Sequence, residues 1–150
     1  MKHLTILKEA PKYPLIRDYL LDAVKNYGEK DAFVLKEEAA GKTFYRHLSY
    51  DAFWQEARAF GQGLRSLGLG EERVAIIGFN SYEWILTYIS VLCGVGVIVP
   101  LDKELTESEI LLSLKRSGVK AVVCDEKHLD LMRSLAKEND LGIEHVITTI

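Results

Sequence analysis

Four short hydrophobic runs, each rich in β-branched residues, follow one another in the second half of the chain. They read RVAIIGF, VGVIVP, VKAVVC and HVITTI, with centres roughly 22 to 25 residues apart, as in strand–helix–strand units. Helical patterns lie between them near 81–93, 107–117 and 126–138. Strands without polar alternation are typical of a parallel sheet buried on both faces. We therefore predict an α/β fold over about 73–150, a parallel sheet with helices on both faces.

The first part of the chain predicts a helix, a short β-hairpin and a second helix. Apolar residues in LIRDYLLDAVKNY have helical spacing over 15–27, closed by Gly28 as a C-cap. The runs AFVLK and TFYRHL predict two strands, joined by a polar loop around Gly41. The second helix is expected to start at the N-cap Ser49 and to end at Gly68, because apolar residues recur between them every three or four positions.

Capping signals mark the ends of the later helices. In LTESEI, Thr106 stands as N-cap and Glu109 at the third helical position, which is a capping box. FNSYEW repeats the pattern with Asn80 as the predicted cap and Glu83 at the third position. Gly118 follows a basic last turn and predicts a helix end.

The stretch Trp84–Leu101 carries no charged residue. Its length of about 18 residues is that of a membrane-spanning candidate. However, Gly94, Gly96 and Pro100 fall in its second half, where each would penalise a helix. We interpret it as a buried helix, a tight glycine turn and a strand, and expect no transmembrane segment.

Composition is that of a soluble globular protein, with 48% hydrophobic and 27% charged residues and a net charge of −3. No basic stripe indicates a nucleic-acid partner. Cys93 and Cys124 each lie in an apolar run, as expected of reduced core thiols in the cytosol. The apolar patch Leu4–Leu7 is too short for a signal peptide. We therefore expect a cytoplasmic protein.

The motifs with a known chemical role are incomplete. AAGKT at 39–43 ends like a phosphate-binding loop, but Lys36 stands where that motif needs its first glycine, and a hairpin loop explains it better. GVG at 94–96 follows a helix and precedes a strand, the reverse of a dinucleotide fingerprint. The histidines lack metal-binding spacing: His3, His47, His128 and His145.

The carboxyl ends of the predicted strands are the remaining candidate site, because ligands of open α/β sheets bind there. The polar residues at these ends are Asn80, Ser81, Asp102 and Asp125. Helix capping also accounts for Asn80 and Asp125, so both roles stay open. No catalytic constellation can be built from these residues.

Six motifs stand in a specific order along residues 48–123. They are LSY at 48–50, LG at 67–68, VAI at 74–76, Asn80, EW at 83–84 and VPLD at 99–102. In this order they resemble the N-terminal portion of the adenylate-forming enzymes, which include acyl-CoA synthetases, luciferases and peptide-synthetase adenylation domains. FNSYEW and VPLDKEL are most similar to the long-chain fatty acyl-CoA synthetase branch.

The resemblance implies a two-step reaction for the full-length enzyme. ATP and a fatty acid give an acyl-adenylate and pyrophosphate, and coenzyme A then displaces AMP to give a thioester, with Mg²⁺ offsetting phosphate charge. Residues 1–150 would be the N-terminal part of the large N-terminal domain. The family's phosphate loop, adenine motif, ribose-binding Asp, hinge and catalytic Lys have no counterpart here. We therefore transfer no catalytic, cofactor-binding or metal-ligating residue, and we expect the isolated chain to bind no cofactor and to be inactive.

Three interpretations follow. The chain ends at HVITTI, inside a strand pattern, which favours the N-terminal piece of a longer ligase. The alternative is a standalone, non-catalytic binding or interaction module with the same α/β fold. Motif order argues against a third, an unrelated flavodoxin-like or Rossmann-like ligand binder. In either of the first two, an exposed sheet edge would allow self-association.

Overall fold

The structure is a computed structural model that describes residues 11–149; the apolar patch at 4–7 lies outside them. The first elements are those predicted from the sequence, a helix, a hairpin and a helix. They are α1 (Ile16–Tyr27), β1 (Asp31–Ala39), β2 (Lys42–Ser49) and α2 (Tyr50–Ser66).

The second half alternates strands and helices, as its hydrophobic runs predict. The elements are β3 (Arg73–Ile77), α3 (Tyr82–Ser90), a π-helical turn (Val91–Val95), β4 (Val97–Pro100), α4 (Glu107–Ser117), β5 (Ala121–Cys124), α5 (Glu126–Glu138) and β6 (His145–Thr148).

The four strands form one parallel sheet in the order β4-β3-β5-β6. Val74 in β3 lies opposite Ile98 on one side and Ala121 on the other. On β5, Val122 lies opposite Val146 of β6. The predicted α/β fold, a parallel sheet preceded by a helix, a hairpin and a helix, is confirmed.

Helices cover both faces of this sheet. On one face α4 and α5 bury Ala75 and Ile77 of β3 together with Val122 of β5. On the other, α2 and the π-helical turn bury Val74 and Val123. A third apolar cluster joins α1, the hairpin, α2 and α3; its buried members are Leu20, Leu48, Phe53, Tyr82 and Cys93.

Most predicted caps are confirmed. Ser49 Oγ accepts the Ala52 N–H at 3.1 Å. The Thr106 N–H donates to Glu109 Oε2 at 2.8 Å, as in a capping box. Gly118 ends α4 in the left-handed conformation, with φ of 60°.

One local prediction needs correction. Asn80 is not the N-cap of α3; Ser81 is, since its Oγ accepts the Trp84 N–H at 3.1 Å. The predicted C-cap Gly28 of α1 is confirmed, with φ of −40° in the right-handed region. Close packing favours glycine there, because an added Cβ would lie 2.9 Å from the Val24 carbonyl oxygen.

The uncharged run divides as predicted into a helix, a glycine turn and a strand. Helix α3 continues into the π-helical turn, which Gly94 closes with φ of 177° and ψ of 0°. A Cβ on Gly96 would lie 2.0 Å from the Glu72 carbonyl oxygen, so β4 can approach the start of β3 only through glycine. Within residues 11–149, no helix combines the length and the apolarity needed to cross a membrane.

Candidate functional site

The polar residues predicted at the strand ends do come to one edge of the sheet. Asn80 and Ser81 lie in the loop between β3 and α3, Asp102 follows β4, and Asp125 follows β5. Because the strands are parallel and adjacent, their carboxyl ends lie side by side. We call this end of the sheet the carboxyl edge; ligands of open α/β sheets bind there.

Asp125 ties two of these loops together. Its Oδ2 accepts the Phe79 N–H at 3.0 Å, and its Oδ1 accepts the His128 N–H at 3.1 Å. The same Oδ1 lies 2.6 Å from Nδ1 of the buried His128 ring. Gly78 makes room for this contact, because a Cβ there would lie 2.9 Å from Oδ2. The carboxylate therefore fixes the β3–α3 loop to the start of α5.

Hydrogen bonding keeps Asp125 ionised. Burial by itself raises the pKa of this carboxyl, but bonds from His128 and from the Phe79 amide outweigh it and hold the pKa below the usual aspartate range. A carboxylate that accepts several N–H bonds is stabilised in its charged form. The negative charge of Asp125 therefore serves to hold two parts of the fold together.

The other predicted residues have mainly local partners. Ser81 caps α3, and Asp102 Oδ1 accepts the Glu104 N–H at 2.9 Å, which shapes the turn after β4. Asn80 is exposed at the rim of the edge. Capping and turn formation therefore account for three of the four side chains.

Phe79 and two lysines form a cluster that sequence reasoning missed. The Phe79 ring is 49% exposed. Lys103 Nζ lies 4.7 Å and Lys127 Nζ 5.1 Å from its centroid, within cation–π range. The only sequence signal is a lysine shortly after each of the strand-end acids Asp102 and Asp125. This cluster places two ammonium groups over an exposed aromatic ring, and Lys103 is also paired with Glu104.

The edge itself offers little room and no reactive thiol. The cleft between Ser81, Trp84 and Thr149 has a volume of about 10 Å³, far below the roughly 300–1,000 Å³ of ligand pockets. Burial raises the pKa of the Cys124 thiol to about 11. In the described range 11–149, no three His, Cys, Asp or Glu residues are placed to hold a metal ion together.

Two proteins of known kind are similar to this chain in sequence. The human long-chain-fatty-acid–CoA ligase ACSBG1 is 29% identical over 97 residues, which cover 63% of this chain and 13% of that protein. Surfactin synthase subunit 2 of Bacillus subtilis is 29% identical over 102 residues, which cover 67% of this chain and 3% of that protein. The chain thus spans a small part of the length of either relative.

Solved structures share the fold. The N-terminal domain of FACL13 from Mycobacterium tuberculosis superimposes with a TM-score of 0.75 at 20% identity, over 91% of this chain and 34% of that one. A benzoate CoA ligase from Burkholderia xenovorans LB400 gives 0.73 at 19% identity, over 92% and 26%.

The family follows from a match over most of the chain. The family model described as AMP-binding enzyme matches residues 20–149, which span the hairpin, α2 and all four parallel strands. The predicted resemblance to adenylate-forming enzymes is therefore confirmed, and the chain belongs to the AMP-binding enzyme family.

Proposed function

We propose that residues 1–150 are the N-terminal part of the large N-terminal domain of an ATP-dependent acyl-CoA ligase. The whole enzyme would activate a long-chain fatty acid as its acyl-adenylate and transfer the acyl group to coenzyme A. The observation that carries this proposal is the family match over residues 20–149. The long-chain ligase among the relatives supports the choice of substrate class.

Within such an enzyme this segment would act as a scaffold. Asp125 holds the β3–α3 loop against α5, and Lys103 and Lys127 lie over the Phe79 ring at the same edge. ATP, Mg²⁺ and coenzyme A would be used by the whole enzyme. Since the described residues 11–149 contain no carboxylate set suited to a metal, we assign Mg²⁺ no ligand here.

The first test is to sequence the source DNA beyond codon 150. We expect an open frame that encodes a Ser/Thr/Gly-rich loop followed by Pro-Lys-Gly. A stop codon directly after Ile150 would contradict the ligase proposal and favour the standalone, non-catalytic module.

The second test measures carboxylate-dependent ATP–pyrophosphate exchange. We expect the purified chain 1–150 to be inactive and the protein from the longer frame to be active. Exchange by the short chain alone would show that it carries catalytic groups that we have not recognised.

The isolated chain is also proposed to self-associate through a sheet edge. Strand β4 pairs only with β3 among the described strands, and its Val97 is 54% exposed. An open edge offers unpaired N–H and C=O groups to a second chain. Sedimentation velocity should show a concentration-dependent dimer that Val97→Lys weakens, whereas a monomer at all concentrations would contradict the proposal.

A further inference from the structure

A groove between α2 and the π-helical turn lies towards the amino-terminal edge of the sheet, away from the loops described above. Trp54, Arg58 and Arg65 of α2 form one wall, and Cys93 and Gly94 form the other. Its cavity volume is about 150 Å³, below the roughly 300–1,000 Å³ of pockets for drug-sized molecules, so it has room only for a small ligand.

The backbone of the π-helical turn shapes this groove. The Gly96 N–H donates to Val91 O at 3.1 Å across Gly94, whose φ of 177° and ψ of 0° are not helical. A Cβ on Gly94 would meet no atom within 4 Å, so this residue faces open space. Its carbonyl accepts a hydrogen bond from Arg65 Nη1 at 3.1 Å. This bond holds the guanidinium at the groove, and among residues 11–149 its other N–H groups make no hydrogen bond.

The charge of the groove is positive and not neutralised locally. Among residues 11–149, no carboxylate lies within 4.0 Å of Arg58, of Arg65 or of Arg17, which lines the neighbouring part of the groove. Glu71 is the acid at the outer end. Burial raises the pKa of the Cys93 thiol against the pull of Arg17, so the floor carries no thiolate charge.

We propose that this groove binds a small phosphate-bearing ligand through Arg58 and Arg65. Guanidinium groups are planar forks that match phosphate oxygens in pairs. The two arginines are seven residues apart on α2, which places their backbones about 10 Å apart along the helix. Their long side chains therefore suit a ligand with more than one phosphate group, and Trp54 offers a flat surface beside it. This site does not depend on the proposed ligase function.

The test uses inorganic pyrophosphate as the probe and the ¹⁵N-labelled chain 1–150 at low ionic strength, because exposed arginines are screened by salt. We expect saturable shifts in the indole N–H of Trp54, assigned with Trp54→Phe, and in the amides of Gly61 and Gly94. Arg58→Gln and Arg65→Gln should each weaken binding by about tenfold, the effect of one charge-assisted hydrogen bond. The affinity of Arg65→Lys for pyrophosphate should lie between those of Arg65→Gln and the parent chain.

The matched control is Arg116→Gln, which removes an exposed arginine from α4 on the other face of the sheet. It should bind pyrophosphate like the parent, and the spectra of all variants report whether they fold. The proposal would be overturned if the Arg58→Gln/Arg65→Gln double variant bound pyrophosphate as tightly as the parent chain. It would also be overturned if the parent chain bound no pyrophosphate. Shifts confined to Phe79 and Lys127 would overturn it too. Tighter binding of a polyglutamate peptide through the same arginines would show an interface for an acidic protein instead.

Discussion

The parallel sheet unit (residues 73–149) and the hairpin layer (residues 11–49) differ in how deeply their side chains are buried. All four residues of β5 are buried, at 1% exposure or less. In the hairpin, β2 is exposed from Lys42 to His47, and Tyr45 is 62% exposed. The hairpin layer contacts the rest through one apolar cluster, to which it contributes the buried Leu20 and Leu48 and in which Phe33 meets Phe53 and Tyr82. We therefore expect the sheet unit to set global stability and the hairpin layer to open locally.

The largest effect should come from a truncation in the core of the sheet unit. Leu114 of α4 is 1% exposed, so Leu114→Ala removes buried methyl groups and leaves a cavity, with a loss of about 2–5 kcal/mol. Urea unfolding should show one cooperative transition at a lower midpoint. Leu112→Ala, at a 45% exposed position of the same helix, should stay within about 0.5 kcal/mol. Equal losses of unfolding free energy in Leu114→Ala and Leu112→Ala would mean that burial of Leu114 does not stabilise the sheet unit.

A second test places a methyl group at the edge of the sheet unit. In Gly96→Ala the Cβ would lie 2.0 Å from the Glu72 carbonyl oxygen, so β4 must move, with a loss of about 1–3 kcal/mol or more. Gly63→Ala is the control, because a Cβ at that helical position meets nothing within 4 Å. It should stabilise the chain by up to about 1 kcal/mol. Thermal unfolding of both variants measures the contrast, and a stabilising Gly96→Ala would contradict the close approach.

The hairpin layer should be released without loss of the sheet unit. The Phe33 ring lies 5.0 Å from Phe53 and 5.3 Å from Tyr82, centroid to centroid. Each such pair contributes about 0.5–1.5 kcal/mol, so Phe33→Leu should lose about 1–3 kcal/mol from the hairpin. Hydrogen exchange should accelerate in β1 and β2 and stay unchanged in β5. The control Phe44→Leu, at a 45% exposed position, should leave hydrogen exchange unchanged in the hairpin and in β5.

If β5 exchanges faster in Phe33→Leu to the same degree as the hairpin, the two regions form one cooperative unit. The distinction between them would then fail.

The smallest effect concerns Asp125, which stabilises the carboxyl edge of the sheet unit. Asp125→Ala should cost about 0.5–2 kcal/mol, as for a lost N-cap. The folded state depresses the pKa of this carboxyl, so its contribution is complete above pH of about 4 and is lost as pH falls through the folded pKa. The stability gap between the parent and Asp125→Ala should therefore narrow in acid. Asp125→Asn, which keeps a capping side chain, should cost less, and a gap that widens in acid would contradict the assignment.

Local patterns predicted the elements, whereas contacts between distant residues decided the details. The β-branched runs are local and predicted the four parallel strands correctly, and the capping box at Thr106 predicted the start of α4. The choice of Ser81 over Asn80 as N-cap is not local, since both are good capping residues. The path of the chain out of β3 is set by Asp125, which binds the Phe79 amide from another loop.

The candidate site was predicted in part for the same reason. The four strand-end residues could be found because parallel strands share an edge. The cluster of Phe79, Lys103 and Lys127 comes from two loops and the first turn of α5, and the position of each lysine shortly after a strand-end acid does not by itself reveal it. The arginine groove depends on the π-helical turn, which the glycines of GVG indicated only as a turn.

The strand order has a consequence for how the chain assembles. Strand β3 lies between β4 and β5, and both partners come after it in the sequence. On a ribosome, β3 would emerge with no strand to pair with, and its backbone N–H and C=O groups would lack both partner strands until Cys124 had been synthesised. Non-local parallel pairing is slow to form and exposes segments to aggregation in the meantime. Helix α2, made before β3, is therefore well placed to shield one face of β3 during translation, because Leu64 packs with Val74.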